Sequence, residues 1–338
     1  MSKAIHPSRR DPYWDCLKFI LIFMVVFGHT LKGKIASGSF GMGVYNFIYI
    51  FHMPLFIFIS GRFSQKRKNK RFFFNILRLL ETYIVFQIIL TLLKAFVNHK
   101  SIVLTNFFFT PEWAMWYLPA LVFWRLLLHI IPDNILELHA KQLTIISFII
   151  GIGGGFIPFD TYFTSHHTLA SLPFFMMGYY SYRVNIREKL SHVPSWTAWC
   201  SLTILLLLCV LWFNGKFYYI LTCGYSYFHH PIYGVAGNMI GRIIVYALAI
   251  FISLMLMRIV PASTKMAKWG SVTMIIYVFH PPLLIIINCL LKVFSISCSL
   301  PLSFIISIVI TIFLVCISRY KFINIMVNPV TYWKSRIL

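Results

Sequence analysis

Residues 14–31 read WDCLKFILIFMVVFGHTL, from Trp14 to Leu31. As a helix rising 1.5 Å per residue the stretch is about 27 Å long, close to the roughly 30 Å hydrocarbon core of a bilayer. Its two charges, Asp15 and Lys18, lie near the same end, and His29 lies near the other. No small-residue cleavage site follows, so the stretch is expected to be an uncleaved first membrane span rather than a signal peptide.

The rest of the chain repeats this pattern. Of 338 residues, 59% are hydrophobic, 18% aromatic and only 11% charged, with a mean hydropathy of +0.79. Soluble domains carry roughly 25% charged residues. Disorder is excluded because it needs low hydrophobicity, and so few charges cannot cover the surface of a soluble globular enzyme. The expected fold is all-α, a polytopic transmembrane helix bundle. Ten spans are predicted near 14–31, 43–61, 72–97, 114–131, 142–157, 169–182, 196–213, 237–257, 271–291 and 300–318; those at 142–157 and 169–182 are short and rich in Gly or Pro. A single membrane domain is expected over 1–338, with a basic N-terminal tail (about 1–12), a short basic C-terminal tail (about 319–338) and no appended soluble domain.

Thirty Lys and Arg against eight Asp and Glu give a net charge of +22. In a soluble protein this balance points to nucleic acid. Here the basic residues fall mainly between apolar segments, where the positive-inside rule and anionic lipid headgroups account for them. Membrane lipids are therefore expected partners and nucleic acid is not. With both termini cytoplasmic, 20 basic residues fall on the inner side and six on the outer, which predicts that orientation. The other four, Lys18, Arg78, Arg125 and Arg242, lie in predicted spans or at their edges, where a cation either snorkels to the headgroups or faces a polar interior. The seven cysteines show no CxxC or Cys/His spacing. They read as small buried hydrophobes, and no metal site is expected.

Several side chains carry possible chemistry. Asp15, Lys18 and His29 share one helical stripe, but Asp15 and His29 are about 21 Å apart along the axis, too far for a hydrogen-bonded dyad. The stripe reads as a polar lining with a titratable group near its outer end, and His29 is the leading candidate catalyst. In span two, Pro54 follows His52 by two residues. A membrane proline kinks the helix and frees a carbonyl, and His52 either lines the resulting cavity or bonds the freed backbone. The basic run from Arg62 to Arg71 continues to Arg78 with Asn75 between. Lys70, Arg71, Asn75 and Arg78 are candidates for phosphate binding, or a plain topology signal. At the outer end of span four, Glu112 with Trp113 and Trp116 suits a carbohydrate, although tryptophans also form interfacial belts. Tyr277 and His280 lie farther along the chain in span nine.

Four segments carry a resemblance. They are Arg10 through Asp15 and Lys18 to His29, then Phe51-His52-Met53-Pro54-Leu55-Phe56 with Ser60-Gly61, then Trp116-Tyr117-Leu118, and last Gly270-Ser271 with Ile276-Tyr277-Val278-Phe279-His280. In this order the chain resembles the acyltransferase-3 membrane proteins, especially the fucose 4-O-acetylase-like branch. The resemblance implies transfer of an acetyl group from cytoplasmic acetyl-CoA, a co-substrate, to a sugar hydroxyl of a cell-surface or exported polysaccharide or glycolipid, in a bacterial inner membrane. His29 would be the essential histidine, acting as base or transient acyl acceptor. Arg71 and Arg78 would meet the CoA phosphates, although the family's common Arg-x-x-Arg stands here as Asn75-Ile-Leu-Arg78. Asp15 and Lys18 would organise the inner mouth, and His52 and Tyr277 are candidates for stabilising an oxyanion. Glu112, Trp113, Trp116 and Tyr277 are candidates for holding the carbohydrate. The rival reading is a transporter or flippase of a lipid-linked sugar, which would have no use for CoA.

Overall fold

Polar side chains close the backbone donors that a helix start leaves open. In a computed structural model of the chain, Asp11 accepts from the Tyr13 N–H at 3.0 Å, with Pro12 at the first helical position. Ser39, Ser263 and Ser299 cap three later helices in the same way. The structure describes residues 11–32, 39–66, 69–99, 107–158, 164–212, 218–228 and 233–330. The N-terminal tail to residue 10 and the last eight residues lie outside them.

Among the described residues there is no strand. The helices are α1 (Pro12–Leu31), α2 (Phe40–Arg62), α3 (Asn69–Asn98), α4 (Tyr117–Ile130), α5 (Asp133–Leu138), α6 (Ala140–Gly153), α7 (Ser165–Ser181) and α8 (Ile186–Ser191). They continue as α9 (Ser195–Trp212), α10 (Tyr218–Leu221), α11 (Gly234–Ile259), α12 (Thr264–Gly270), α13 (Thr273–Val293), α14 (Leu300–Ile317) and α15 (Lys321–Val327). A 3₁₀ turn, Trp113–Trp116, runs directly into α4. Eight segments are long and apolar enough to cross a bilayer: α1, α2, α3, the joined stretch Trp113–Ile130, α9, α11, α13 and α14. The other two predicted spans fall on α6, which a 3₁₀ turn extends to Phe156, and on the 17-residue α7. Both are shorter than the other spans, and α7 is largely buried against α2 and α6.

Burial sorts the helices. On α3, Phe72, Ile76, Leu79, Tyr83, Phe86 and Leu90 are buried, while Phe73, Leu77, Leu80, Ile84, Ile88 and Leu92 are exposed. The 3–4 spacing of each set gives one face to the bundle and one to lipid. By contrast α1 packs against α2, α12, α13 and α14, and its Tyr13 hydroxyl donates to the Met257 carbonyl at 2.6 Å. Thr30 Oγ1 and Ser307 Oγ meet at 2.8 Å between α1 and α14.

Two features fix the neighbourhood of the interior cavities. Helices α2 and α7 touch through glycines: a Cβ on Gly61 would lie 2.0 Å from the Phe175 carbonyl oxygen, and one on Gly178 would lie 1.9 Å from that of Phe58. Small residues permit such backbone approach in membranes. The second feature is Arg242 on α11, only 3% exposed. It donates to the carbonyls of Gly151 at 3.1 Å, Tyr225 at 3.0 Å and Cys223 at 3.4 Å, and lies 4.6 Å from the Tyr227 ring centroid. Of the two readings open for a cation in this span, the polar interior holds, and the cation ties residues 223–225 and the end of α6 to α11.

Gly178→Ala is expected to lower the melting temperature of the detergent-solubilised protein, because relieving the clash requires backbone movement costing about 1–3 kcal/mol. Arg242→Leu is expected to lower it too, by leaving buried carbonyls unpaired at about 1–3 kcal/mol each. Gly153→Ala is the control, since its Cβ meets nothing within 4 Å. Equal melting temperatures for all three would contradict this account.

Candidate active site

His29 lies two residues before the C-terminal end of α1, and its Nδ1 is 2.8 Å from Nε2 of His280 on α13. The His280 Nδ1 lies 3.0 Å from the Ile276 carbonyl oxygen. A carbonyl only accepts, so Nδ1 of His280 carries a proton. In the neutral ring Nε2 of His280 is then the acceptor and Nδ1 of His29 the donor. This leaves the lone pair of His29 on Nε2. Trp113 covers the His29 ring at 4.8 Å between centroids and holds a positive φ of 43°. A bulky residue in that region is strained, and such strain concentrates at functional sites.

The cavity at this end is lined by His29, Tyr49, His52, Trp116, His167 and Tyr277 among others, and measures about 90 Å³. His52 lines it and also bonds backbone, with Nδ1 2.7 Å from the Ile48 carbonyl. That carbonyl is one turn before His52 itself, two residues before the one that Pro54 frees. Trp116 stacks on His167 at 4.6 Å with planes 22° apart. Leu221, Thr222 and Cys223, next to the segment held by Arg242, complete the wall.

A larger cavity of about 360 Å³ lies along the same helices toward the basic end. It is lined by Lys18, Asn75, Arg78 and Arg125, with Ser60, Tyr117 and Tyr277 on its other walls. Lys18 pairs with the buried Asp15 at 3.2 Å and lies 4.5 Å from the Phe63 ring centroid. Among the described residues, Asn75 and the Arg78 guanidinium have no side-chain partner. Tyr277 borders both cavities. Its hydroxyl donates to the Ala114 carbonyl, and its ring meets Tyr117 edge-on at 5.5 Å. Tyr117 in turn lies 2.6 Å from Ser60 Oγ. The two cavities are thus separate rooms sharing one wall. Successive turns line them in order: Lys18 then His29 on α1, and His52 then Ser60 on α2.

The structure brings together His29, His52, His280, Trp113, Trp116 and Tyr277 at one end, and Lys18, Asn75 and Arg78 at the other. Asp15 lines neither cavity and is joined to the larger one through its ion pair with Lys18. Lys70 and Arg71 are exposed on α3 and line neither cavity. Glu112 is ion-paired with Lys94, and its backbone N–H donates to Gln87 Oε1 at 2.8 Å, so it fastens the loop before α4 to α3. Sequence reasoning did not place His167 or Arg125 at a site. Arg125 reads from the sequence as a cation inside a span, but nothing in the spacing around His167 singles it out. Among the described residues, no group of three or more His, Cys, Asp or Glu side chains is arranged to hold a metal ion.

Comparison with known proteins gives the family. No solved protein structure matches the chain. A 61-residue stretch is 44% identical to part of the Nodulation protein NolL of Mesorhizobium japonicum, covering 17% of this chain and 16% of that protein. The family described as Acyltransferase domain, acyltransferase-3, matches residues 11–320. That match takes in the lining of both cavities apart from Asn328 and every helix that reaches the histidine pair, and the chain belongs to the acyltransferase-3 family of membrane acyltransferases.

Proposed function

We propose that the protein transfers an acetyl group from cytoplasmic acetyl-CoA to a hydroxyl of a cell-surface or exported sugar, as in the fucose 4-O-acetylase-like branch, in a bacterial inner membrane. The observation that carries the reading is the pairing of a wide basic cavity with a narrow histidine cavity across Tyr277. CoA phosphates need cations at one end, and guanidinium groups such as Arg78 and Arg125 match them in geometry. The pantetheine arm is long and uncharged, suited to an inner room walled by Ser60, Tyr117 and Leu121. The small volume beside His29 favours a short acyl group over a long chain.

At the histidine end, Nε2 of His29 removes the proton from the acceptor hydroxyl, or first takes the acetyl group itself. In the direct route the acceptor oxygen forms a bond to the acetyl carbon, the C–S bond breaks, and His29 returns the proton to the departing thiolate. His280 positions His29 and fixes its tautomer through the Ile276 carbonyl. The Tyr277 hydroxyl proton goes to the Ala114 carbonyl and the His52 Nδ1 proton to the Ile48 carbonyl, so neither neutral side chain keeps a donor for the oxyanion; Trp113 and Trp116 offer aromatic faces to the sugar.

Membranes containing the protein, radiolabelled acetyl-CoA and the host polysaccharide fraction test this. Wild type is expected to place label in base-labile esters, and His29→Ala to reduce transfer by about 100-fold or more. Full transfer by His29→Ala would remove His29 from the chemistry. His280→Gln, whose amide oxygen accepts the same hydrogen bond, is expected to retain more activity than His280→Leu. Equal loss in the two variants at equal melting temperature would reduce His280 to packing.

A further inference from the structure

Beside the basic cavity lies a cleft of about 200 Å³ between the start of α3 and the C-terminal half of α4. Phe63, Asn75 and Arg125 belong to both spaces, so the cleft is a side room of the basic cavity. Its far wall carries Lys66 and His129. The His129 ring lies flat on Phe72, 4.0 Å between centroids and 9° from parallel. Arg125 is oriented by Ser64, whose Oγ accepts from its Nε at 3.1 Å. Among the described residues no carboxylate lines the cleft; Lys66 Nζ lies 2.7 Å from the exposed Asp133 and donates to the Ile131 carbonyl, which leaves one of its three N–H groups for an anion.

The chemistry that fits is a phosphate monoester on an aromatic base. Lys66 and Arg125 lining one cleft suit an anion, and the Phe72–His129 stack is an aromatic platform that a base extends. A lipid headgroup would bring the phosphate but no ring for that face. CoA carries phosphate in two places, a pyrophosphate in the middle and a monoester on the ribose. A single cluster of cations around Arg78 leaves the second unanswered.

We propose that this cleft holds the 3′-phosphoadenosine end of the donor. Lys66 and His129 face the 3′-phosphate, Arg125 and Asn75 meet the pyrophosphate in the shared wall, and the pantetheine arm turns into the basic cavity toward Tyr277. The assignment rests on acyl-CoA being the donor and goes beyond it by placing the nucleotide. It explains why the exposed Lys70 and Arg71 line neither space although they lie in the densest basic run.

The test compares acetyl-CoA with acetyl-3′-dephospho-CoA in the full-length protein. Wild type is expected to use the dephospho donor with kcat/KM lower by roughly 10- to 100-fold, carried by KM. Lys66→Gln and His129→Ala are each expected to narrow that ratio to within about threefold. Because the ratio compares two donors in one preparation, partial misfolding does not mimic the result. Adenosine 3′,5′-bisphosphate is expected to compete with acetyl-CoA in wild type, and AMP to compete more weakly by a similar factor. Turnover with no discrimination and no competition would overturn the cleft assignment, and competition by anionic-lipid vesicles in its place would make it a headgroup site. Direct binding of labelled adenosine 3′,5′-bisphosphate separates the two readings. Binding that depends on Lys66 without turnover of any acyl-CoA would keep the nucleotide site and remove the donor.

Discussion

A polar atom inside a bilayer has no water to fall back on, so it must find its partner within the chain. That constraint organises the protein around two buried arrangements. Arg242 spends its N–H groups on three carbonyls, which fastens the wall of the histidine cavity to α11. His280 is tied through Nδ1 to its own helix and through Nε2 to His29. The second arrangement is asymmetric: the carbonyl at one end is a fixed acceptor, so the proton order runs in one direction and ends on a bare nitrogen of His29. The requirement that keeps a histidine stable in hydrocarbon thus also leaves it the acceptor nitrogen that the proposed base needs.

The prolines and glycines place these groups. Pro281 and Pro282 follow His280 directly and lie inside α13. Each removes an N–H, leaving the Tyr277 and Val278 carbonyls without helical donors beside the site. The two glycine contacts between α2 and α7 bring His52 and the Ser171–Phe174 turn to one cavity. Larger side chains at Gly61 or Gly178 would separate the helices and open the room around His29.

Much of this was legible in the chain, and the exceptions have physical causes. The spans follow from runs of apolar residues, and the stripe from Lys18 to His29 follows from helical periodicity. His29 and His280 were both recognisable, yet their contact joins residues 251 positions apart and depends on how α1 packs on α13. No local pattern encodes that. Trp113 and Trp116 look like interfacial residues because of where they stand in the sequence; the 3₁₀ turn and the positive φ at Trp113 turn them inward. The basic run differs from the cavity linings in the opposite sense. Lys70 and Arg71 are dense and near a span, whereas Arg125, alone in an apolar helix, reaches both basic spaces. A cation that lines an interior cavity is isolated in sequence because its neighbours must face lipid or core.

The wall at Tyr277 decides what kind of catalyst such an interior can be. A thioester loses its acyl group to water if water reaches it, and a site between two aqueous compartments is exposed to that loss from both sides. A continuous pore from the basic end to His29 would admit water along with the donor. On the proposed reading Tyr277, with Tyr117 packed against it and its hydroxyl held by the Ala114 carbonyl, interrupts that path. The partition is on that reading held by one hydrogen bond and ring contacts to Tyr117 and His280, weak enough for an incoming pantetheine arm to displace. The arm then fills the space it opens, and water is excluded in the open state by the donor and in the closed state by the tyrosine. The small size of the histidine room follows from the same need: space beyond that of the reacting groups would hold water beside an activated acyl carbon.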